Sequence, residues 1–270
     1  MNYINLNGKI TTPEEARMPI DNGSFRYGYG LFETMLVQDG AINLMQYHWD
    51  RLFAGMRQLY FELPVLFTEK YLEAEVLKTV QKNKPDALCR VRLQVFATGG
   101  GLYSSEKNSP GFLIECFPLD PSLLLLNENG LTLGVAKALY KSVDSLSNLK
   151  SCNALVYAIA AKQAKENKWN DGLICNTAGN IIESTIANLF WIKNGQVYTP
   201  PLSEGCIAGV MRRYITDKIP VTEKTLSLQQ LSDANEVFLT NSVRRIKWVQ
   251  TINNIKYTNK DIKKIYTHLF

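Results

Sequence analysis

The sequence predicts an α+β protein with mixed sheets, built as two domains. Three observations predict it. Strand-like and helix-like runs alternate along the chain without a strict βαβ rhythm, which argues against a single all-parallel sheet. A stretch with two prolines, a leucine run and then Asn-Glu-Asn-Gly, from Pro118 to Gly130, interrupts the pattern near the middle. The chain has 270 residues, 46% of them hydrophobic and 20% charged, which is enough to bury two modest cores. The expected organisation is a small α/β domain over 1–117, a linker over 118–130 and a larger α/β domain over 131–270.

In the first half, Tyr3 to Leu6 and Lys9 to Thr11 flank an Asn7-Gly8 turn and read as a hairpin. Asp21-Asn22-Gly23-Ser24 is a turn cluster leading to Tyr27-Gly28-Tyr29-Gly30. Leu31 to Val37 reads as a strand that turns at Asp39-Gly40 into Ala41 to Leu44. Residues 45 to 61 have helical spacing, with Leu52, Met56 and Leu59 on one stripe. A second helix is expected over 68 to 82, stopped near Pro85. Leu88 to Phe96 and Gly111 to Phe117 are strands around the glycine-rich loop Thr98-Gly99-Gly100-Gly101.

In the second half, Leu131 to Ala136 is a strand, and Ala154 to Asn167 is helical by propensity. Short strands follow at Gly172 to Asn176, Ile181 to Ser184, Asn188 to Ile192 and Gln196 to Tyr198. Ala178-Gly179 and Asn194-Gly195 serve as turns. Helices are expected near 207 to 218 and 227 to 232, then a strand from Glu236 to Thr240.

Composition narrows the function classes. A net charge of +5 with scattered lysines, densest from Lys256 to Lys264, describes a solvated face and no nucleic-acid partner. The start, Met-Asn-Tyr-Ile-Asn-Leu-Asn-Gly-Lys, has no basic-then-apolar signal pattern. Apolar runs such as Leu123 to Leu126 are far too short to span a bilayer. Five cysteines without a Cys-x-x-Cys pair fit a reduced, cytoplasmic protein, and no metal site is expected.

The chemistry concentrates between Asn148 and Arg213. Lys150 ends a polar loop, Lys141-Ser142-Val143-Asp144-Ser145, just before the helix; a surface lysine is the ordinary alternative. A Schiff-base lysine needs a desolvated amine, and an apolar helix start offers that setting. Glu183 lies in the apolar run Ile181 to Ile186, either facing solvent or placed beneath a pyridine ring to hold its nitrogen protonated. Gly205-Cys206-Ile207-Ala208-Gly209 opens a helix whose first amides can bind an anion. Thr240-Asn241-Ser242 could complete a phosphate cup. Arg51, off the apolar stripe of its helix, could be the cationic partner or could pair with Asp50. An amine, an acid and an anion-binding turn are what a pyridoxal phosphate site requires.

Taken in order, these residues resemble the class IV aminotransferase family, the fold type IV pyridoxal phosphate enzymes. The matching pieces are Tyr27-Gly28-Tyr29-Gly30-Leu31-Phe32-Glu33-Thr34, His48-x-x-Arg51-Leu52, Lys150-Ser-Cys-Asn153 and Gly179-x-x-x-Glu183. Asn188-Leu189-Phe190, Tyr198-Thr199-Pro200, Gly209-Val-Met-Arg212 and Glu236 to Ser242 continue the series. The resemblance implies the two-domain fold of D-amino-acid and branched-chain aminotransferases, a cofactor between the domains and a homodimer. It implies that Lys150 forms the Schiff base and shuttles the proton, and that Glu183 contacts the pyridine nitrogen. Arg51, the backbone of Ile207 and Ala208, and the Asn241-Ser242 turn would hold the phosphate.

Within the family, Lys-Ser-Cys-Asn, Asn188-Leu-Phe-Trp191 and Leu239-Thr-Asn-Ser242 look most like the 4-amino-4-deoxychorismate lyases, which release pyruvate and p-aminobenzoate for folate synthesis. Branched-chain transaminases carry a tyrosine shortly after the lysine, where Ala154 and Leu155 stand here. D-amino-acid transaminases favour a tyrosine at the position of Phe32 and an arginine near Ala97. The lyases often place a basic residue in the glycine-rich loop, here Gly99-Gly100-Gly101-Leu102-Tyr103. Arg92, Arg244 and Arg245 are the candidates to bind substrate carboxylates in its stead. The expected activity is therefore the lyase, with a small-molecule amino substrate. An amino-acid transaminase is the alternative, and a non-catalytic family member the third reading.

Overall fold

Asn7 and Gly8, at φ of +52° and +87°, turn β1 (Ile4–Leu6) back into β2 (Lys9–Thr11). In the computed structural model that gives the structure of the chain, residues 3–84, 88–99, 103 and 108–270 are described. Pro85 and residues 100 to 102 of the glycine-rich loop, both singled out above, lie outside the described residues. The chain forms two compact units: Met1–Pro121 with Lys150–Asn153, and Ser122–Leu149 with Ala154–Phe270.

The first unit is one antiparallel sheet in the order β2-β1-β6-β5-β3-β4. Its further strands are β3 (Gly30–Gln38), β4 (Ala41–Ile42), β5 (Leu88–Ala97) and β6 (Pro110–Pro118). Among the described residues three helices accompany it: α1 (Gly23–Tyr27), α2 (Met45–Gln58) and α3 (Glu69–Asn83). The stripe on α2 buries Leu52 and Met56 completely, together with Met35, Leu72, Leu93 and Ile114. The turn cluster at Asp21 to Ser24 is instead the start of α1: the Asn22 side chain accepts from the amides of Ser24 and Phe25 at 2.8 and 3.2 Å. The same short polar residues serve turns and N-caps, so composition alone did not separate the two. β6 continues to Pro118, the first residue of the expected linker, and Pro121–Leu124 forms a 3-10 turn.

A four-residue piece from the middle of the chain belongs to this unit. Lys150 accepts from the Phe32 amide at 3.0 Å, Ser151 bridges Leu31, and the Cys152 amide donates to Gly30 at 2.8 Å. Lys150 is thus five residues ahead of the start of its helix, α4 (Leu155–Glu166), and is fixed by backbone pairing to β3.

The second unit adds β7 (Leu131–Lys141), β8 (Asp171–Asn176), β9 (Ile181–Ser184), β10 (Asn188–Lys193) and β11 (Gln196–Thr199). Then come α5 (Val210–Lys218), β12 (Thr222–Glu223), α6 (Leu228–Ser232), β13 (Glu236–Asn241), β14 (Arg245–Ile252), β15 (Ile255–Lys256) and α7 (Lys260–Leu269). The sheet runs β12-β11-β10-β13-β14-β7-β8-β9, and Asn188 pairs with Glu183, so β9 returns to β10 and closes a ring of strands. Parallel pairs (β7 with β8 and with β14, β11 with β12) mix with antiparallel ones. Leu133, Leu173, Ile181, Leu189, Val237 and Val249 form the core. Among the described residues no helix is long and apolar enough to cross a membrane.

Candidate active site

In the first unit the amine of Lys150 lies 4.3 Å from the centre of the Phe32 ring. The Arg92 guanidinium lies 4.7 Å from the same ring. Phe32 is on β3 and Arg92 on the neighbouring β5, where Phe32 pairs with Gln94 and Thr34 with Arg92. Arg92 donates to Gln94 at 2.6 Å and lies 3.6 Å from Glu115. One aromatic ring therefore meets two cations, an arrangement that the ring quadrupole favours.

The next residue, Glu33, points to the other, buried face of β3. His48 Nδ1 bonds its Oε2 at 2.6 Å, while Arg51 donates from Nε to Oε1 at 2.8 Å and from Nη2 to Oε2 at 2.5 Å. Burial alone would push the Glu33 carboxyl up, but the Arg51 charge and the His48 bond overcome it and hold it at about 2. Burial pushes His48 down, so it is a neutral imidazole despite its carboxylate neighbour. Nε and one terminal nitrogen of Arg51 thus form a fork on Glu33, which fixes the orientation of the guanidinium.

This network predicts acid sensitivity. Both groups have lower pKa values folded than unfolded, so the unfolded chain binds more protons and stability falls as pH is lowered. The His48 contribution is lost as pH falls below its ordinary 6.5, and that of Glu33 between 4.5 and about 2. Urea titrations at stepped pH should show the midpoint dropping below pH 6.5 in the native chain and a flatter profile in His48→Asn. An unchanged slope in that variant would mean that His48 does not titrate with folding.

In the second unit Glu183 is 2% exposed, which rules out the solvent-facing alternative. Lys141 Nζ and the Tyr157 hydroxyl donate to its Oε1 at 2.7 and 2.8 Å, and the Ile207 amide donates to Oε2 at 2.9 Å. Burial and the Glu183 charge push the Tyr157 phenol far up, so it stays protonated as a donor. The same causes push the Cys206 thiol up to about 12, which leaves it inert as a nucleophile.

The anion-binding turn differs in detail from the expectation. Helix α5 starts at Val210, so Ile207 and Ala208 precede it, and their amides donate to Glu183 and to Asn148 O. The Asn241 side chain shapes its turn: its amide group donates to Ile186 O at 3.2 Å and its oxygen caps the Val243 and Arg244 amides. Two further features of the same region suit an anion. Gly209 starts α5 with no side-chain cap, and a Cβ built there would lie 1.8 Å from Asn188 Oδ1. The buried Thr240 hydroxyl, on the residue paired with Asn188, has no hydrogen-bond partner among the described residues. Ser242 is half-buried in the turn that follows. Of the remaining candidates, Arg244 is exposed, and Arg245 stacks 4.9 Å from the Phe270 ring at the end of α7.

The close approach at Gly209 yields a second prediction. Asn188 is buried and donates to Ile207 O at 2.8 Å, so it cannot retreat without losing that bond. Gly209→Ala should cost about 1–3 kcal/mol, read as a lower urea midpoint; unchanged stability would mean that Asn188 has room to move.

Sequence reasoning did not single out Glu33, His48, Lys141 or Tyr157. Glu33 and His48 carried a signal, since each stands inside a quoted motif beside the expected Arg51. Lys141 and Tyr157 carried none, because only the folded ring of strands brings them to Glu183.

The pattern of the family described as amino-transferase class IV matches residues 30–252. Aminodeoxychorismate lyase of Bacillus subtilis (strain 168) is 30% identical over 264 residues, covering 94% of this chain and 88% of that protein. A putative branched-chain-amino-acid aminotransferase of Methanocaldococcus jannaschii is 28% identical over 269 residues, covering 97% of this chain and 92% of that protein. Among solved structures, a putative 4-amino-4-deoxychorismate lyase of Legionella pneumophila superposes with a TM-score of 0.83 at 27% identity, covering 94% of this chain and 95% of that one.

Proposed function

Because this chain belongs to the class IV aminotransferases and is a pyridoxal-phosphate-dependent enzyme, we propose that it is a 4-amino-4-deoxychorismate lyase. The observation that carries the choice is the surroundings of Lys150. The tyrosine that the resemblance assigns to branched-chain transaminases, for the cofactor's phenolic oxygen, is replaced by Leu155, and Tyr157 gives its hydroxyl to Glu183 instead. The 30% identity to the Bacillus subtilis lyase supports the same reading.

The residues suit the cofactor. An amine rests on an aromatic ring, a buried carboxylate accepts three hydrogen bonds, and an uncapped helix start adjoins an orphaned hydroxyl. When bound, pyridoxal phosphate supplies an aldehyde that condenses with amines and a ring that withdraws electrons from the adjoining carbon. In this reading Lys150 is the amine that attaches the cofactor and takes the proton from the substrate's amine-bearing carbon. Glu183 keeps the ring nitrogen protonated. The start of α5 with Thr240 and the Asn241-Ser242 turn holds the phosphate, and Arg51 serves it through its network with Glu33. Arg92 binds a substrate carboxylate, with Arg244 and Arg245 as further candidates.

The reaction balances without an oxidant. A C–H bond at the amine-bearing carbon and the C–O bond to the enolpyruvyl group both break. The ring becomes aromatic as p-aminobenzoate, and the released enol takes up the proton as pyruvate. The p-aminobenzoate would serve folate synthesis, and the homodimer and cytoplasmic location that were expected belong to the same proposal. A coupled assay tests it: pyruvate release from aminodeoxychorismate should far exceed transamination of leucine, glutamate or D-alanine. The reverse order would favour an amino-acid transaminase, the second reading, which the 28% identity to the Methanocaldococcus protein supports.

A further inference from the structure

We propose that Lys141 sets how much of the Glu183 charge is offered to the cofactor's ring nitrogen, a role that rests on the reading of Glu183 given above. The ammonium lies 2.7 Å from Glu183 Oε1, only 11% of the Lys141 side chain is exposed, and its charge lies 5.3 Å from the Tyr157 ring. The carboxylate and the ammonium form a neutral pair, since the neighbouring Tyr157 and Cys206 are both held protonated. A ring nitrogen placed against Glu183 therefore meets a carboxylate that an ammonium already neutralises. Its hold on a proton is weaker than it would be against Glu183 alone.

The backbone is built to deliver this lysine. Val135 pairs with Leu173 but Tyr140 pairs with Cys175, so five steps along β7 oppose two along β8. Ala138, inside that bulge, has a φ of +55°, a left-handed conformation that a non-glycine residue rarely adopts. Beyond the bulge Lys141 opposes Asn176, which shares a face with Ile174, and Ile174 pairs with Glu183. The irregularity turns Lys141 onto the Glu183 side of the sheet, and bulges beside functional sites re-aim side chains in this manner.

The test compares how tightly the cofactor-free protein binds pyridoxal phosphate and the analogue with carbon in place of the ring nitrogen. Lys141→Met and Lys141→Gln should raise the preference for pyridoxal phosphate about tenfold or more, the worth of one pKa unit. Lys141→Arg, which keeps the charge, should leave it unchanged. Lys141→Gln retains a donor without the charge, so its agreement with Lys141→Met separates charge from hydrogen bonding. An unchanged preference in both neutral variants, or loss of the fold in both while Lys141→Arg folds, would make Lys141 a structural ion pair and overturn the proposal. Glu183→Gln should abolish the preference. If it does not, the reading of Glu183 fails, which the Lys141 variants alone would not reveal.

Discussion

Lys150→Ala is expected to abolish covalent cofactor attachment and turnover together. Backbone pairing to β3 fixes the lysine, and its amine rests against Phe32, the ring that Arg92 also meets. Lys141 is the nearest rival in character, but its nitrogen is engaged by Glu183 at 2.7 Å, and an amine so occupied is a poor nucleophile. Borohydride reduction followed by peptide mass mapping should place the pyridoxyl adduct on Lys150 in the native chain and nowhere in the variant. An adduct on Lys141 or Lys162 would defeat the assignment.

Glu183→Gln should leave the cofactor bound and coloured while turnover falls by orders of magnitude, because a neutral amide cannot stabilise a protonated ring nitrogen. The ion pair adds an expectation about stability. Removing the carboxylate leaves the largely buried Lys141 ammonium uncompensated, a change that typically costs about 3–5 kcal/mol. Adding Lys141→Met to Glu183→Gln should recover much of that stability and none of the activity. A fully active Glu183→Gln would mean that the acid of the reaction lies elsewhere.

Much of the fold was legible because hydrophobic period and turn chemistry are local signals. The stripe on α2, the Asp39-Gly40 and Asn194-Gly195 turns, and the strands from Asp171 to Thr199 stand close to where the spacing put them. The failures have physical causes. α7 begins where Glu236, some 25 residues earlier, accepts from the Asp261 and Ile262 amides, a cap that no local window contains. β7 runs five residues past its expected end at Ala136, through a bulge that breaks the period of two.

The site divides along the same line. Lys150 and Glu183 stood out because an amine and an acid in apolar surroundings are conspicuous, and the order of motifs matched a family. The partners of those groups were hidden. Alternation along β3 could not tell that Glu33 would meet His48 and Arg51, since the meeting depends on how α2 packs. The local detail of the anion cradle was hidden too. The sequence shows a glycine-rich helix start but not where the first turn closes, and that boundary decides which amides are spent.

The most direct test of the lyase assignment is the fate of the substrate's amino group in a single turnover. Rapid mixing of the cofactor-loaded enzyme with aminodeoxychorismate, followed by absorbance and product analysis, reads it. The lyase reading predicts one pyruvate and one p-aminobenzoate per substrate, with the nitrogen retained on the ring and no stoichiometric conversion of the cofactor to its aminated form. Rapid conversion to that form with leucine, glutamate or D-alanine, while aminodeoxychorismate is inert, would contradict it.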